Sequence, residues 1–144
     1  METKISHTEI VNASLYDVWQ HLLYKIDHPE KFVPNVSDVE VIEKNVETTL
    51  RKMKITMPDK SMTIIEKIIA SPYVVRFEIM EHPTVKGYVE NLAEAVNEKS
   101  TKLTYIMNWQ NTLDNSPANN ADMLKAAVNK SKLFIEESTE RKTH

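Results

Sequence analysis

Polar and apolar residues alternate along several segments of the chain, most regularly between residues 73 and 79. In that segment Phe77 and Ile79 share one face, whereas Arg76 and Glu78 share the other. A period of two residues is typical of a β-strand with one buried face. The same pattern, less regular in places, predicts strands at residues 5–11, 39–42, 46–57, 62–70, 73–79, 84–96 and 103–109.

Short polar segments separate the second to seventh predicted strands, among them residues 43–45, 58–61 and 97–100. Connections of this length join antiparallel neighbours, because a parallel pair needs a crossover of about a dozen residues or more. Several predicted strands exceed the usual ~5–6 residues, so we expect the sheet to twist and curve. Gly87, inside the sixth strand, predicts a bulge or a sharp bend.

A helical pattern follows the first predicted strand. Ser14 and Asp17 form a capping-box pattern with Asp in place of Glu, and apolar residues recur behind it at helical spacing. Pro29 ends this helix and can open a second one, whose buried side would be Phe32 and Val33. The pattern therefore predicts two short helices between the first and second strands.

The longest helical pattern runs from residue 119 to residue 141. Asn119 or Asn120 supplies an N-cap, and Leu124, Val128 and Ile135 recur on one face. At ~1.5 Å per residue the helix would be on the order of 30 Å long. We therefore predict an α+β architecture in which a curved seven-stranded antiparallel sheet wraps around this helix. A single helix would not fill the concave surface, so a cavity is expected between them.

Composition narrows the class of protein. A length of 144 residues is typical of one domain, so we expect residues 1–144 to form a single domain. The absence of cysteine excludes disulfides and thiolate chemistry, and a single glycine excludes Gly-rich phosphate loops. Without a signal-peptide pattern or ~20 consecutive apolar residues, we expect a cytoplasmic protein with no stable membrane insertion.

The charge pattern argues against nucleic acid as a partner. The formal net charge is −3, and the nearest basic group, Arg51 with Lys52 and Lys54, is interpreted as a solvated face of one strand. The five histidines show no spacing of metal ligands, so neither a metal nor another cofactor is expected.

Several segments resemble the START-like or SRPBCC superfamily, which includes the birch-pollen allergen, aromatase/cyclases and lipid-transfer domains. The resemblance rests on the order of elements and on residues 10–14, 17–19 and 22–23, with the sequences IVNAS, DVW and LL. Residues 28–34, HPEKFVP, are similar to the AtaL-like branch of bacterial proteins. The resemblance implies the helix-grip fold with a hydrophobic cavity between sheet and helix, and it does not imply one activity.

If the alternating residues face inward, they line the expected cavity. An apolar pocket with a few polar groups is the usual form of a small-molecule site. The alternative interpretation is that these side chains simply pack in the core. The predicted ligand-binding residues are Phe32, Met53, Ile55, Phe77, Tyr105, Met107, Trp109, Leu124, Val128 and Ser131.

Three of these residues carry a polar group that would need a partner if buried. The hydroxyl of Ser131, on the apolar stripe of the last helix, would bond either to the carbonyl four residues earlier or to a ligand. Tyr105 and Trp109 would either orient a bound ring or bond to backbone or water.

His7 and Glu66 are the best candidates for a catalytic base. The alternative for His7 is a satisfied surface or core histidine, and for Glu66 an outward-facing or edge charge. Neither residue supports a mechanism, so no catalytic residue is assigned.

The sequence favours binding of a small hydrophobic or aromatic molecule in the cavity without chemistry. A polyketide cyclase/aromatase- or dehydratase-like enzyme, acting in the same cavity, is the first alternative. A co-chaperone-like protein-interaction module using the outer face of the sheet is the second. An exposed edge strand could pair with a second copy, so we expect a monomer or a weak homodimer.

Overall fold

The structure, a computed structural model, describes residues 4–32 and 35–142. Within these ranges a strand is followed by a helix, a 3-10 turn, six further strands and a long helix. Their bounds are β1 Ile5–Val11, α1 Leu15–Asp27, the 3-10 turn Pro29–Lys31, β2 Val36–Lys44, β3 Thr48–Thr56, β4 Ser61–Ser71, β5 Val74–Glu81, β6 Val85–Asn97, β7 Ser100–Asn111 and α2 Ala121–Lys142.

The strands form a seven-stranded sheet in the order β1-β7-β6-β5-β4-β3-β2. Every neighbouring pair is antiparallel. The short connections require this for the consecutive strands from β2 to β7, whereas β1 pairs with β7 from the far end of the chain. The α+β prediction of a seven-stranded antiparallel sheet with a long C-terminal helix is therefore confirmed. The second of the two predicted short helices is a single 3-10 turn. Of the residues expected on its buried side, Phe32 is buried, whereas Val33 lies outside the described residues.

One face of the sheet is buried against the helices. This inner face carries Arg51 and Met53 of β3, Phe77 of β5, and Tyr105 and Met107 of β7. The residues between them in each strand are more exposed, because successive side chains of a strand point to opposite sides.

Helix α2 packs chiefly against β1 and β7, at one side of the sheet. Its first turn is capped by Asn120, whose side-chain oxygen accepts a hydrogen bond from the amide of Met123 at 3.0 Å. The stripe that faces the sheet consists of Leu124, Val128, Ser131 and Ile135, all buried, at spacings of four, three and four residues.

Helix α1 lies against β6 and β7. Its N-cap is Ser14, whose hydroxyl accepts a hydrogen bond from the amide of Asp17 at 3.1 Å. The buried side of the helix is formed by Val18, Leu22 and Ile26, which continue the same helical spacing. Helix α1 therefore carries its last turn over the inner face of the sheet.

The ladder between β6 and β7 passes through Gly87 opposite Trp109 in unbroken register, so the predicted bulge at Gly87 is wrong. The irregularity in this pair falls between Ala95 and Asn97. Gly87 has φ +121°, and a Cβ atom at this position would collide with the carbonyl oxygen of Asn108. Close approach of two backbones, rather than an inserted residue, explains the glycine.

Among the described helices, none combines the length and the apolar composition needed to cross a lipid bilayer.

Candidate functional site

A chain of three polar side chains crosses the interior from α1 to α2. The ammonium of Lys25, in the last turn of α1, donates a hydrogen bond to the phenol oxygen of Tyr105 at 2.8 Å. That oxygen lies 2.5 Å from the hydroxyl oxygen of Ser131, and either group can be the donor. Tyr105 and Ser131 are both buried, so these hydrogen bonds join the sheet to both helices in an apolar setting.

The ammonium of Lys25 also lies against two aromatic rings. Its nitrogen is 4.3 Å from the ring centroid of Tyr105 and 5.3 Å from that of Phe77, within the range of a cation–π contact. Removal from water lowers the pKa of Lys25 from 10.5 to about 7, and the charge of Arg51 acts in the same direction. The carboxylate of Glu66 partly opposes this shift. Lys25 can therefore exchange a proton near neutral pH.

Burial raises the pKa of Tyr105, and its hydrogen bond with Ser131 partly opposes the rise. The phenol therefore stays protonated at neutral pH and keeps an O–H donor on the inner face. Of the two partners expected for Ser131, a backbone carbonyl or a ligand, the structure shows a third, the side chain of Tyr105.

A second polar group on the inner face is the ion pair of Arg51 and Glu66. A guanidinium nitrogen of Arg51 lies 2.6 Å from a carboxylate oxygen of Glu66. Another nitrogen of the same group donates to the carbonyl of Ile26, near the end of α1, at 2.6 Å. Arg51 is 3% exposed and Glu66 9%. The interpretation of Arg51 as part of a solvated face is therefore wrong, and so is the outward alternative for Glu66.

Two further polar side chains of the interior have atoms without a partner. Asn91 of β6 pairs with Tyr105 in the sheet register and is 1% exposed. Among the described residues, neither its amide oxygen nor its amide nitrogen has a hydrogen-bond partner, and the same holds for the indole nitrogen of Trp109. Buried polar groups are normally paired, so both side chains are candidates for contacts with a bound molecule.

The structure brings most of the predicted ligand-binding residues together. Phe77, Tyr105, Met107, Leu124 and Val128 belong to one hydrophobic cluster, and Trp109 packs against it. Tyr105 also links this cluster to Ser131.

The other three predicted residues lie farther along the interior. Met53 is buried, and Ile55 is half-buried on the same face of β3. Phe32 is buried in an aromatic group between the helices, with its ring centroid 4.8 Å from that of Phe134. That these ten residues bind a ligand stays a prediction.

Partial exposure of the inner face is concentrated at one end of the sheet. In the strand register, Ile55 of β3, Ile79 of β5, and Val89 and Trp109 at the β6–β7 pair all lie toward the same end. Each of them is half-buried. Helix α2 also begins at this end, after Asn119, whose side-chain oxygen accepts a hydrogen bond from the amide of Trp109 at 2.7 Å. A small molecule would find uncovered apolar surface here.

His7, the other candidate base, lies on the α2 side of β1 in register with Tyr105. Its Nε2 atom is 2.6 Å from a carboxylate oxygen of Glu9, and both side chains are about one quarter exposed. Within the described residues, no three side chains of the metal-binding types lie close enough together to hold a metal ion.

Lys25 was missed by the sequence reasoning, although a signal was present. Leu22 and Ile26 mark the apolar stripe of α1 at a spacing of four residues, and a spacing of three residues after Leu22 reaches Lys25 on the same side. The inward position of Arg51 could also have been read from its spacing of two residues from Met53. In both cases the charged residue type favours exposure to solvent, whereas the position in the pattern favours burial.

The outer face of the sheet is charged and contains a shallow depression of about 430 Å³. Its lining includes Leu50 of β3, Lys67 of β4 and Met80 of β5. Nearby, Arg76 pairs with Glu78 at 3.0 Å, and its guanidinium stacks on the ring of Tyr88. This depression offers a second location where a ligand could bind, and the experiments below distinguish it from the interior.

Solved structures with the same fold place the chain in the helix-grip class. The ZhuI aromatase/cyclase of a Streptomyces species superposes with a TM-score of 0.71 at 18% identity, over 98% of this chain and 95% of that chain. Thalictrum flavum norcoclaurine synthase, in complex with dopamine and hydroxybenzaldehyde, gives a TM-score of 0.73 at 15% identity, over 94% and 87%. A START superfamily protein from Mycobacterium smegmatis gives 0.68 at 13% identity, over 96% and 97%. At these identities the likeness shows the fold alone.

Within this class, the chain belongs to the AtaL family, described as acetylaranotin biosynthesis cluster protein L, whose family model matches residues 5–141. The predicted START-like superfamily and AtaL-like branch are thereby confirmed. No curated protein matches the sequence significantly.

Proposed function

We propose that this protein binds a small aromatic or hydrophobic molecule between the inner face of the sheet and α2. The observation that carries the proposal is the combination of half-buried apolar side chains at one end of the inner face with polar groups farther along the same face. Ile55 and Trp109 supply apolar surface, and Lys25, Tyr105 and Asn91 supply hydrogen-bonding groups. The predicted lining residues, from Phe32 to Ser131, belong to this proposal.

Binding can be tested with N-phenyl-1-naphthylamine, an uncharged aromatic probe whose fluorescence rises in apolar surroundings. We expect saturable binding to the wild-type protein. Ile55→Trp adds a bulky ring to the half-buried end of the inner face and should weaken binding by about tenfold or more, since one bound ring would be displaced.

The matched control is Leu50→Trp, a residue of the same strand that lines the outer depression. This variant should bind the probe within about twofold of the wild type. Loss of binding in Leu50→Trp with retention in Ile55→Trp would place the ligand on the outer face and overturn the proposal. Absence of saturable binding to the wild-type protein would overturn it as well. Circular dichroism of each variant checks that the fold is kept.

A second candidate function is catalysis of the cyclase, aromatase or dehydratase type in the same space. The observation that favours it is a lysine titrating near neutral pH, hydrogen-bonded to a protonated phenol. The neutral amine of Lys25 can accept a proton from the carbon beside a ketone, and the hydroxyl of Tyr105 can donate a hydrogen bond to the resulting enolate oxygen. Removal of such a proton begins aldol-type ring closures. Aromatase/cyclases share this fold, which supports the reading by analogy only.

The catalytic reading can be tested by deuterium exchange at the carbon beside the carbonyl of acetophenone. Acceleration by the wild-type protein should be lost in Lys25→Met while binding of N-phenyl-1-naphthylamine is kept. Equal acceleration by the two proteins would exclude Lys25 as the base, and no acceleration by either would leave ligand binding without chemistry as the function.

A further inference from the structure

We propose that Lys25 makes the interior selective for ligands that carry an acidic oxygen, such as a phenol, an enol or a carboxyl group, on an aromatic frame. The inference rests on the proposed function and deepens it, because it names the chemical class of the ligand. It is drawn from the way the charges of the inner face are paired.

The charge of Arg51 is already neutralised. Its guanidinium contacts the carboxylate of Glu66 at 2.6 Å and the carbonyl of Ile26 at the same distance. Its Nε–H has no partner among the described residues, but the carboxylate of Glu66 already compensates the positive charge, so an anionic ligand would gain less from Arg51 than from a cation without such a partner.

Lys25 forms no ion pair with a carboxylate among the described residues, and the charge of Glu66 compensates it only in part. Among the described residues, the one hydrogen-bond acceptor of its ammonium is the neutral phenol of Tyr105. An ammonium can donate three hydrogen bonds, so donor capacity remains for a ligand. The rings of Phe77 and Tyr105, both near the nitrogen, would contact the aromatic part of the same molecule.

A negatively charged oxygen of a ligand would provide the anionic partner that Lys25 lacks. Burial lowers the pKa of Lys25 to about 7, because the charged form has lost water without gaining a carboxylate partner. An anion beside the amine restores the charged form, and hydrogen bonds between charged groups are stronger than neutral ones. An uncharged ligand of the same shape gains only the apolar contacts.

Other titratable groups face this region and must be accounted for. Arg51 and Glu66 face Lys25 from β3 and β4, and His82, after β5, feels the charge of Glu66. Tyr105 faces it from β7, and on β1 the pair of His7 and Glu9 lies beside Tyr105 in the register. On α1 itself, Asp27 pairs with Lys44 at 2.9 Å, and just after α1 His28 lies 3.4 Å from Glu30 of the 3-10 turn.

Two probes with one aromatic frame test the selectivity. 8-Anilinonaphthalene-1-sulfonate is N-phenyl-1-naphthylamine with a permanently anionic sulfonate, so the ligand itself does not titrate between pH 6 and pH 9. Lys25→Met should weaken binding of the sulfonate by about tenfold or more and leave binding of the uncharged probe within about twofold. In the wild type, sulfonate affinity should fall from pH 6 to pH 9, whereas in Lys25→Met it should not.

Two control variants sharpen the test. Lys52→Met removes an exposed lysine of the outer side of β3 and should change neither affinity. Lys25→Arg keeps the charge and should retain most of the sulfonate binding. Circular dichroism of each variant checks that the fold is kept, because partly unfolded chains also bind such probes.

Equal loss of both probes in Lys25→Met, unchanged sulfonate affinity, or the same pH dependence in both proteins would overturn the inference. Such results would leave the proposed function standing as long as the uncharged probe binds and Ile55→Trp weakens it. Failure of the uncharged probe to bind the wild type would instead remove the proposed function.

Discussion

Two cations lie on the concave side of this protein, and their surroundings differ. Arg51 has a carboxylate partner and a backbone carbonyl, each at 2.6 Å, and is almost fully buried. Lys25, whose own backbone carbonyl lies 3.4 Å from Arg51, has an uncharged phenol and two ring faces. Arg51 is paired with groups of the protein itself, whereas the ammonium of Lys25 keeps hydrogen-bond donors for an acceptor that the described residues do not supply.

We therefore expect Arg51 to contribute to stability and Lys25 to contribute to function, although both lie in the same interior. A buried ion pair with close hydrogen bonds holds elements in place, and removal of one partner leaves an uncompensated charge. A buried amine without a carboxylate destabilises the folded state, and such groups concentrate at functional sites. The following predictions test whether the two cations divide the roles in this way.

The largest effect is expected for Arg51→Met. This change leaves the carboxylate of Glu66 buried without its partner, so the free energy of unfolding should fall by about 3–5 kcal/mol. Urea denaturation followed by circular dichroism measures the change. The double variant Arg51→Met with Glu66→Met should recover most of the loss, since no buried charge remains. A loss below about 1 kcal/mol in the single variant would show that the pair is not structural.

A smaller effect with a distinct signature is expected for Lys25→Met. Because burial lowers the pKa of Lys25 from 10.5 to about 7, the unfolded chain binds a proton between these values that the folded protein does not. Wild-type stability should therefore gain a component that rises with pH across this window, by at most about 1.4 kcal/mol per pH unit. Below pH 7 both states are protonated and the component is constant.

Urea denaturation of both proteins at pH 7, 8 and 9 measures this component. The stability of Lys25→Met minus that of the wild type should shrink as the pH rises. A difference that is independent of pH would contradict the lowered pKa and, with it, the contrast between the two cations.

The smallest effects are expected for two neutral side chains next to Lys25 and Tyr105. Asn91→Leu replaces a buried amide without partners among the described residues by an apolar group of similar size, so it should raise the free energy of unfolding by about 1 kcal/mol. Ser131→Ala removes a hydrogen bond that is made and should lower it by about 1 kcal/mol. Thermal and urea unfolding at pH 7 measure both. Destabilisation by Asn91→Leu would show that the amide is satisfied in solution.

The sequence was informative where local chemistry decides the outcome. Capping by Ser14 and Asn120, the alternation along β5 and the short polar connections each predict a local structure that the fold contains. Together with the resemblance, they led to the correct architecture. The apolar stripe of α2 likewise placed Leu124 and Val128 against the sheet.

The sequence was less informative where a polar residue is buried. Arg51 was assigned to solvent because an isolated arginine prefers water, and only the distant Glu66 makes its burial favourable. Lys25 depends in the same way on rings from β5 and β7. Such partners are separated from these residues by 15 to 80 positions in the chain, so periodicity alone does not reveal them. Gly87 shows a related limit, because a glycine is required there by the close backbone of β7 and not by a feature of its own strand.

The hydrogen bond from Arg51 to the carbonyl of Ile26 has a mechanical consequence. The last carbonyls of a helix usually bond to water, but here a side chain from the sheet takes one of them. Lys25 directly precedes Ile26 in the chain. The hydrogen bond from Arg51 of β3 therefore sets the distance between the amine of Lys25 and the strands.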